Sequence, residues 1–358
     1  MERIHSLRDR MGQLPGLLSV LILLMLPLEG AHAGWPSQFG GSGPQYVFDV
    51  EMDSKGNSIV LGTFSDQIRF SDSEAYTADS SSNLFIAKYS SQGEFIWAQT
   101  VITAAGITPG SLEIDAADEV YISAGLNSQG SATIAGVTIP AGDSVIAKIN
   151  AAGSWSWARS YGWTSVELSV PKDGNGLYVA STDADFTMVL YLLRMSKSSG
   201  EEVWRTDLDM TFSSSPVFLG ANKIIAEPRT DRSSDLFLHV DGTGGIDSVC
   251  GQTAATGYNL VIKVQEVVTE NNGATNYSWN CQWVWGGPDV PTVRGDIASD
   301  GTDVYFARKR ITKISGATGT TVWDRGFDSA DFSSIYYSYY GDDGVALESD
   351  DVGNIYYS

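Results

Sequence analysis

Two stretches of the sequence decide the fold, because Asn83-Leu-Phe-Ile-Ala-Lys-Tyr89 and Asp143-Ser-Val-Ile-Ala-Lys-Ile149 share one pattern. In both, a glycine follows five residues after the lysine, and a Trp-Ala pair begins four residues after that glycine. Further copies of the basic residue, glycine and tryptophan occur at Arg194, Gly200 and Trp204, at Lys313, Gly319 and Trp323, and more loosely at Lys263, Gly273 and Trp279. Repetition of this kind indicates a fold assembled from similar supersecondary units.

A second signature, a tight turn followed by a strand, precedes the lysine-bearing stretch in most copies. Asp53-Ser-Lys-Gly-Asn57 precedes the segment 58–62, and Asp115-Ala-Ala-Asp118 precedes the segment 119–123. Aspartate, glycine and asparagine favour tight turns, and the β-branched and aromatic residues after them favour strands. Beyond residue 33 no segment shows helical periodicity. Each unit therefore predicts a four-stranded antiparallel sheet, and the chain is predicted to be all-β.

Such sheets leave two apolar faces uncovered, so we expect them to pack face to face around an axis as the blades of a β-propeller. The repeats predict about five full blades and a partial sixth. Trp35 lies 18 residues before Asp53. Trp97 lies at the same distance before Asp115, so segment 35–41 is predicted to form the outermost strand of the last blade. The chain stops inside the sixth unit, which indicates an incomplete blade or a fragment of a ring of about six to eight blades.

The first 33 residues have the features of a secretory signal peptide. Arginines near the N-terminus precede an apolar run over residues 17–26, and Ala31 and Ala33 match the small residues of a cleavage site. The run is too short to span a bilayer core of about 30 Å, although an uncleaved anchor stays open as the alternative. Residues 1–33 are thus predicted to be removed, which leaves residues 34–358 as a secreted or cell-surface propeller domain.

Charge and histidine content exclude several functions. The formal net charge is −21, which disfavours binding to nucleic acid or to anionic lipid, although it permits Ca²⁺. His239 is the only histidine after residue 33, so a zinc site with several imidazoles is excluded. No metal ligand and no cofactor are assigned. Acidic runs at Asp183 and Asp185, at Asp342 and Asp343, and at Asp350, Asp351 and Asn354 have Ca²⁺ binding or ordinary turn chemistry as open interpretations.

The fourth unit is the longest, because residues 228–257 intervene as an insertion before its lysine-bearing strand. Cys250 and Cys281 are the only cysteines, and in an exported protein we expect them to form a disulfide. On the chain-entropy model this bond would stabilise the fold by about 3.5 kcal/mol. Asn276 begins an Asn-Tyr-Ser sequon and is the predicted glycosylation site.

A row of aromatic residues follows this insertion and is the candidate ligand-binding surface. Its members share odd positions and are predicted to share one strand face: Tyr277, Trp279, Trp283 and Trp285, with Cys281 among them. Flat aromatic faces stack on sugar rings or on protein partners. Packing between blades is the alternative, because Trp283 and Trp285 parallel Trp155 and Trp157 of the second unit.

The combined pattern resembles the SBBP-type propeller repeat of secreted and surface proteins, and the run Thr318-Gly-Thr-Thr-Val-Trp323 is similar to quinoprotein-like propeller repeats. The resemblance implies the fold, and it implies a structural, adhesive or binding role more than an activity. A quinone-dependent enzyme would be expected to have vicinal cysteines and a calcium site. Lys313 and Ser315 also depart from the alanine and aspartate that the quinoprotein motif favours.

The sequence therefore predicts a secreted, non-catalytic propeller that binds a protein or glycan at the cell surface or in the matrix. Two enzymatic alternatives stay open: a glycosidase or lyase with paired carboxylates, and a quinone-dependent oxidoreductase. One basic residue recurs per unit, at Lys88, Lys148, Arg194, Lys263 and Lys313. We expect these residues to pair with the acidic turns, since unpaired buried cations are costly, and a cation-lined channel is the alternative.

Overall fold

Short strands separated by tight turns make up the chain, as the turn residues and β-branched runs predict. The computed structural model describes residues 40–78, 82–104, 106–127, 130–171, 174, 176–183, 189–212, 219–271, 273–286, 295–307, 310–326, 347–349 and 354–357. These residues contain strands, turns and bends, with no α-helix among them. No helix long and apolar enough to cross a membrane occurs in the described part of the chain.

Five antiparallel sheets follow one another along the chain, and we call them blades 1 to 5. Blade 1 contains β1 (Gln45–Met52), β2 (Ser58–Phe64), β5 (Asn83–Tyr89) and β6 (Phe95–Val101), with the small hairpin β3 (Gln67–Arg69) and β4 (Ala75–Thr77). Blade 2 contains β7 (Ile107–Ile114), β8 (Val120–Leu126), β11 (Ser144–Ile149) and β12 (Trp155–Tyr161), with the hairpin β9 (Ala132–Ile134) and β10 (Val137–Ile139).

The remaining sheets repeat this order. Blade 3 contains β13 (Trp163–Ser169), β14 (Gly176–Asp183), β15 (Leu190–Ser196) and β16 (Glu202–Leu208). Blade 4 contains β18 (Leu219–Pro228), β19 (Ser234–Val249), β20 (Gln252–Asn271) and β21 (Ala274–Gly286), and β17 (Met210–Phe212) pairs with β19. Blade 5 contains β22 (Asp296–Ser299), β23 (Val304–Ala307), β24 (Arg310–Ile314) and β25 (Thr321–Gly326). A last hairpin consists of β26 (Leu347–Ser349) and β27 (Ile355–Tyr357).

The first strands of successive sheets contact one another in chain order, from β1 through β7, β13, β18 and β22 to β26. This succession defines an axis with one sheet after another around it, and the apolar clusters lie between neighbouring sheets. The predicted all-β propeller, with five four-stranded blades and the beginning of a sixth, is confirmed.

In each of blades 1 to 5 a tryptophan pairs with the repeat basic residue, and a β-bulge follows directly. In blade 4 this tryptophan is Trp283, so the copy predicted at Trp279 is wrong, because Trp279 pairs with Glu266. The pairs are Lys88–Trp97, Lys148–Trp157, Arg194–Trp204, Lys263–Trp283 and Lys313–Trp323. The register then skips one residue of the outermost strand, which is Ile96, Ser156, Val203, Gln282 or Val322 in blades 1 to 5. A bulge of this kind moves the residues on its two sides to opposite faces of the sheet.

Neighbouring blades meet where a tryptophan ring covers a glycine of the next turn. Gly153 of blade 2 has φ +89°, and a Cβ there would lie 2.5 Å from Cγ of Trp97 in blade 1. Gly200 lies in the same way on Trp157, and Gly319 lies on Trp283. The repeated glycine therefore serves both a left-handed turn and a close approach between blades.

Residues 228–257, which the sequence indicates as an insertion, lie mostly in strands. After a turn at 229–233 they form β19 and the first part of β20, whose outer ends fold back so that Ile246 and Val249 are buried. Blades 1 and 2 contain smaller hairpins at this place, with Ile68 and Ile134 buried. Trp35, predicted to lie in the last blade, is outside the described residues.

Candidate functional site

The predicted aromatic row on one face of β21 is wrong, because the bulge at Gln282 divides it. Val264 pairs with Cys281, whereas its neighbour Lys263 pairs with Trp283. Cross-strand partners share a face and adjacent residues do not. The sequence match between Trp285 and Trp157 of the second unit is also out of register. Trp283 occupies the position of Trp157.

Tyr277 and Trp279 face blade 3, and both are half-buried. The guanidinium of Arg194 lies 4.5 Å from the ring centroid of Tyr277. Trp279 pairs with Glu266 and packs against the apolar cluster shared by blades 3 and 4. These two aromatics therefore pack on blade 3 with at most part of their rings available to a ligand.

Trp283 and Trp285 face blade 5. The Nε1 of Trp283 donates a hydrogen bond to the carbonyl of Gly316 (3.1 Å), and its ring is buried. The Nε1 of Trp285 donates to Oγ1 of Thr321 (3.1 Å), and its ring lies 5.4 Å from that of Phe306. Packing between blades, which the sequence left open as the alternative, accounts for both side chains.

The two cysteines come together at the predicted place. Cys250 lies in the turn between β19 and β20 with φ 51°, and both thiols are free and half-buried. A hydrogen bond to the Cys281 thiol raises the pKa of Cys250, with burial adding to the rise, and the pKa of Cys281 is lowered by its bond from Cys250. The thiols are thus hydrogen-bonded neighbours without a covalent bond between them, and the disulfide stays a prediction.

Asn276 lies on an extension of β20 and β21, which we call the ribbon (residues 265–280). Beyond Gln265, β20 pairs only with β21 among the described strands. One face of the ribbon has exposed, uncharged polar residues: Thr269, Asn276, Ser278 and Asn280. The predicted glycosylation site is therefore on the surface, as its attachment would require, although attachment itself stays a prediction.

The repeated basic residues form ion pairs, as expected for a structural role. Lys88 Nζ lies 2.6 Å from Asp53 Oδ2, and the equivalent lysine of blade 4, Lys263, lies 2.7 Å from Asp235 Oδ2. Burial opposes ionisation of Asp53, but hydrogen bonds from Lys88 and Asn57 hold its pKa below the ordinary value. These ion pairs support a structural role for the repeated basic residues.

Blade 3 differs, because its basic residue pairs with the next blade. Arg194 NH1 donates to Glu266 Oε1 (2.8 Å), which also accepts a hydrogen bond from Trp204 Nε1 (2.8 Å). Tyr178 Oη donates to Glu266 Oε2 (2.6 Å). The Glu266 side chain is fully buried; Arg194 compensates its charge, and the three donors satisfy its two oxygens. Sequence reasoning missed this network, because its members lie in four strands of two blades.

Polar side chains of the innermost strands form a second feature that sequence reasoning missed. One position per blade contributes Asp49, Ser111, Glu167, Lys223 and Asp296. Three of these side chains accept hydrogen bonds from backbone N–H groups of the following blade: Leu112 N to Asp49 (3.2 Å), Leu168 N to Ser111 (3.1 Å) and Leu347 N to Asp296 (2.7 Å). Glu167 accepts from Ser111 Oγ (2.8 Å), and Lys223 Nζ donates to Asp296 Oδ2 (3.3 Å) and to the carbonyl of Leu347 (3.1 Å). Around the axis, side chains thus satisfy inner strand edges that no further strand covers.

Glu113 is a carboxyl group of the innermost strands whose pKa is raised. Its Oε2 accepts a hydrogen bond from the backbone N–H of Val170 (3.1 Å) in blade 3. Burial raises the pKa of Glu113 well above its ordinary value, and the nearby carboxylates of Glu51 and Asp49 add to the rise. The axis therefore holds a carboxyl group with a raised pKa near other carboxylates.

Calcium binding and ordinary turn chemistry both stay open as interpretations of the acidic runs. Asp185, Asp342, Asp343, Asp350 and Asp351 lie outside the described residues, and Asn354 is exposed. Within the described part of the chain, no cluster of three or more His, Cys, Asp or Glu side chains has an arrangement that would hold a metal ion.

No protein-family model matches this sequence, and no curated protein matches it. Similar solved structures include a quinohemoprotein alcohol dehydrogenase from Pseudomonas putida HK5 (8% identity, TM-score 0.38, 77% of this chain and 51% of that one). Others are the propeller domain of the Trilobed protease from Pyrococcus furiosus (9%, 0.38, 86% and 76%) and Sqt1 of Saccharomyces cerevisiae (8%, 0.40, 87% and 80%). This chain thus spans about half the length of the dehydrogenase.

Proposed function

We propose that this chain is an exported, non-catalytic propeller that binds a protein or glycan ligand at the cell surface or in the matrix. The observation that carries the proposal is the exposed polar face of the ribbon. Its amide and hydroxyl groups, on Asn276, Ser278 and Asn280, offer both donors and acceptors without charge. Tyr277 and Trp279 hold the ribbon on blade 3 from its other side.

The ribbon has an inner face that is packed on blade 3 and an outer face that is accessible. This arrangement suits binding, because a strand held by packing loses little conformational entropy when a partner binds. The exported location follows from the predicted signal peptide. An SBBP-type repeat, common in secreted and surface proteins, agrees with this location and with a binding role.

The test compares the wild-type protein, produced without glycosylation, with a Ser278→Ala/Asn280→Ala variant. Binding is measured on a glycan array and by capture of biotinylated cell-surface proteins. The control is Thr318→Ala/Thr320→Ala, which changes exposed hydroxyls on a turn of blade 5. We expect the ribbon variant to bind about tenfold more weakly and the control to bind as wild type does. A wild-type protein without any captured ligand would contradict the binding function, and an unaffected ribbon variant would remove the ribbon from it.

A paired-carboxylate glycosidase or lyase is the second candidate, and Glu113 is the observation in its favour. A carboxyl group with a raised pKa beside another carboxylate has the properties of a general acid and its partner. Assays with aryl glycosides and with polyuronides test this candidate. Turnover by the wild type that Glu113→Gln abolishes would support it, and no turnover by the wild type would eliminate it for these substrates.

A further inference from the structure

An aromatic stack lies between the end of blade 2 and blade 3. The rings of Tyr161 and Trp163 are parallel, with centroids 3.9 Å apart and an interplanar angle of 6°. Tyr191 continues the stack, with its centroid 6.2 Å from that of Trp163. Trp163 is buried, whereas Tyr161 and Tyr191 are partly exposed. The outer rings of the stack therefore reach solvent while the central one holds them in place.

A charged pair on the outermost strand of blade 3 borders these rings. The Arg205 guanidinium lies 5.2 Å from the Trp163 ring centroid and 5.7 Å from that of Tyr191. Its Nε and NH2 donate to Glu202 Oε2 at 3.1 and 2.7 Å. Glu202 Oε1 and Arg205 NH1 make no hydrogen bond with the described residues, so each offers one exposed group to a ligand.

The junction between blades 3 and 4 contains a buried arginine–glutamate pair that can be compared with the exposed pair of Arg205 and Glu202. There the Arg194 and Glu266 side chains are 7% and 0% exposed, and three donors occupy the carboxylate. At the junction between blades 2 and 3, the Arg205 and Glu202 side chains are 37% and 38% exposed. Packing between blades 3 and 4 uses the hydrogen-bonding groups of Arg194 and Glu266. Between blades 2 and 3, part of the hydrogen-bonding capacity of Arg205 and Glu202 is unused by the described residues.

We propose that Tyr161, Tyr191, Glu202 and Arg205 form a binding site for a neutral sugar ring of a glycan. The apolar C–H face of a pyranose would lie on an exposed aromatic ring. Its hydroxyl groups would donate to Glu202 Oε1 and accept from Arg205 NH1, as charge-assisted hydrogen bonds. This inference rests on the proposed binding function and adds a surface that the sequence analysis did not identify.

Charge decides in favour of a neutral glycan. Glu202 compensates Arg205, and Asp207, which pairs across the strands with Tyr191, compensates Arg159, whose charge acts on Tyr161. The surface therefore has no net positive charge for a uronate or sulfate. The whole chain has a net charge of −21, which adds repulsion toward anionic glycans.

The test is calorimetric titration with four soluble probes: cellohexaose, xylohexaose, laminarihexaose and chitohexaose. Wild type is compared with Arg205→Ala, with Arg205→Lys, and with Arg310→Ala as the matched control. Arg310 forms an exposed pair with Asp324 (2.8 Å) on blade 5, away from the stack, and the Arg310 side chain is 49% exposed against 37% for Arg205. We expect at least one probe to bind, Arg205→Ala to weaken it about tenfold, Arg205→Lys to weaken it less, and Arg310→Ala to leave it unchanged.

Thermal unfolding of each variant verifies that the fold is retained. The inference is overturned if the wild type binds none of the probes, if Arg205→Ala binds like wild type, or if Arg310→Ala loses as much affinity as Arg205→Ala. These results differ from failure of the proposed function, since the ribbon variant and the capture of proteins are measured separately.

Discussion

Some glycines allow close packing between blades, because they adopt a left-handed backbone conformation and also lie against a tryptophan ring of the preceding blade. A substitution at such a glycine has two costs, backbone strain at positive φ and steric overlap with the ring, and Gly142 and Gly153 separate them. Both have positive φ, at +82° and +89°, but a Cβ at Gly142 would meet nothing within 4 Å. At Gly153 the added carbon would collide with the indole of Trp97.

Gly153→Ala is therefore expected to destabilise the protein more than Gly142→Ala. Both substitutions lose about 1 kcal/mol for alanine at positive φ, and overpacking against Trp97 adds about 1–3 kcal/mol at position 153. Urea unfolding measures the free energy of unfolding of both variants. Equal losses would show that the glycine does not touch the ring.

The raised pKa of Glu113 predicts a pH dependence of stability. The folded state binds this proton more tightly than the unfolded state, so the stabilising contribution is complete below the unfolded pKa of about 4.3 and is lost as pH rises toward the folded value. Glu113→Gln cannot ionise and keeps an acceptor for Val170. We expect the variant to gain stability over wild type as pH rises from 4 to 8, measured by urea unfolding. A constant difference across this range would contradict the shift.

Individual strands show how far the sequence alone could lead. The number of blades and their strand order were predictable, because turn residues and the lysine–glycine–tryptophan spacing recur in each unit. The division of the aromatic residues of β21 between its two faces was not predictable, because strict alternation cannot reveal the extra residue at Gln282. The polar side chains at the axis were also missed. They connect different blades, and their residue types vary from Asp49 to Lys223, so no repeated letter marks them.

A disulfide is predicted between the turn that precedes β20 and strand β21. In oxidising solution Cys250 and Cys281 are expected to form a disulfide, since their thiols are already neighbours. Mass spectrometry would detect the loss of two hydrogen atoms, and reductant would lower the Tm by about 5–10 °C. A Cys250→Ser/Cys281→Ser variant is the control and should not respond to reductant. A wild type that keeps two free thiols under air oxidation would contradict the pairing.

The succession of blades has one apolar face that the described residues leave open. The exposed large apolar side chains of β1 are Tyr46, Val47, Phe48, Val50 and Met52. Val50 is 51% exposed, whereas its counterparts Leu112, Leu168, Ile224 and Ile297 are at most 2% exposed under the preceding blade. Such a strip of apolar surface is costly in water, and its place in the repeat predicts that the last blade covers it.

Gly40 already indicates where that blade would begin. Its N–H and carbonyl pair with the carbonyl and N–H of Arg69 (3.2 and 2.9 Å), on the hairpin that folds over blade 1. The segment before Gly40 is predicted to form the outermost strand of the blade whose first strands are β26 and β27. Blade 1 would then be covered like the others.

The most direct test of this radial arrangement is a distance measurement between spin labels at Ser37→Cys and Ser358→Cys, in a Cys250→Ser/Cys281→Ser background. Four strands of one blade span about 15 Å, so with the label linkers we predict a distance of about 25 Å or less. A distance beyond about 40 Å would place the two ends in different parts of the molecule and would contradict a ring completed by both.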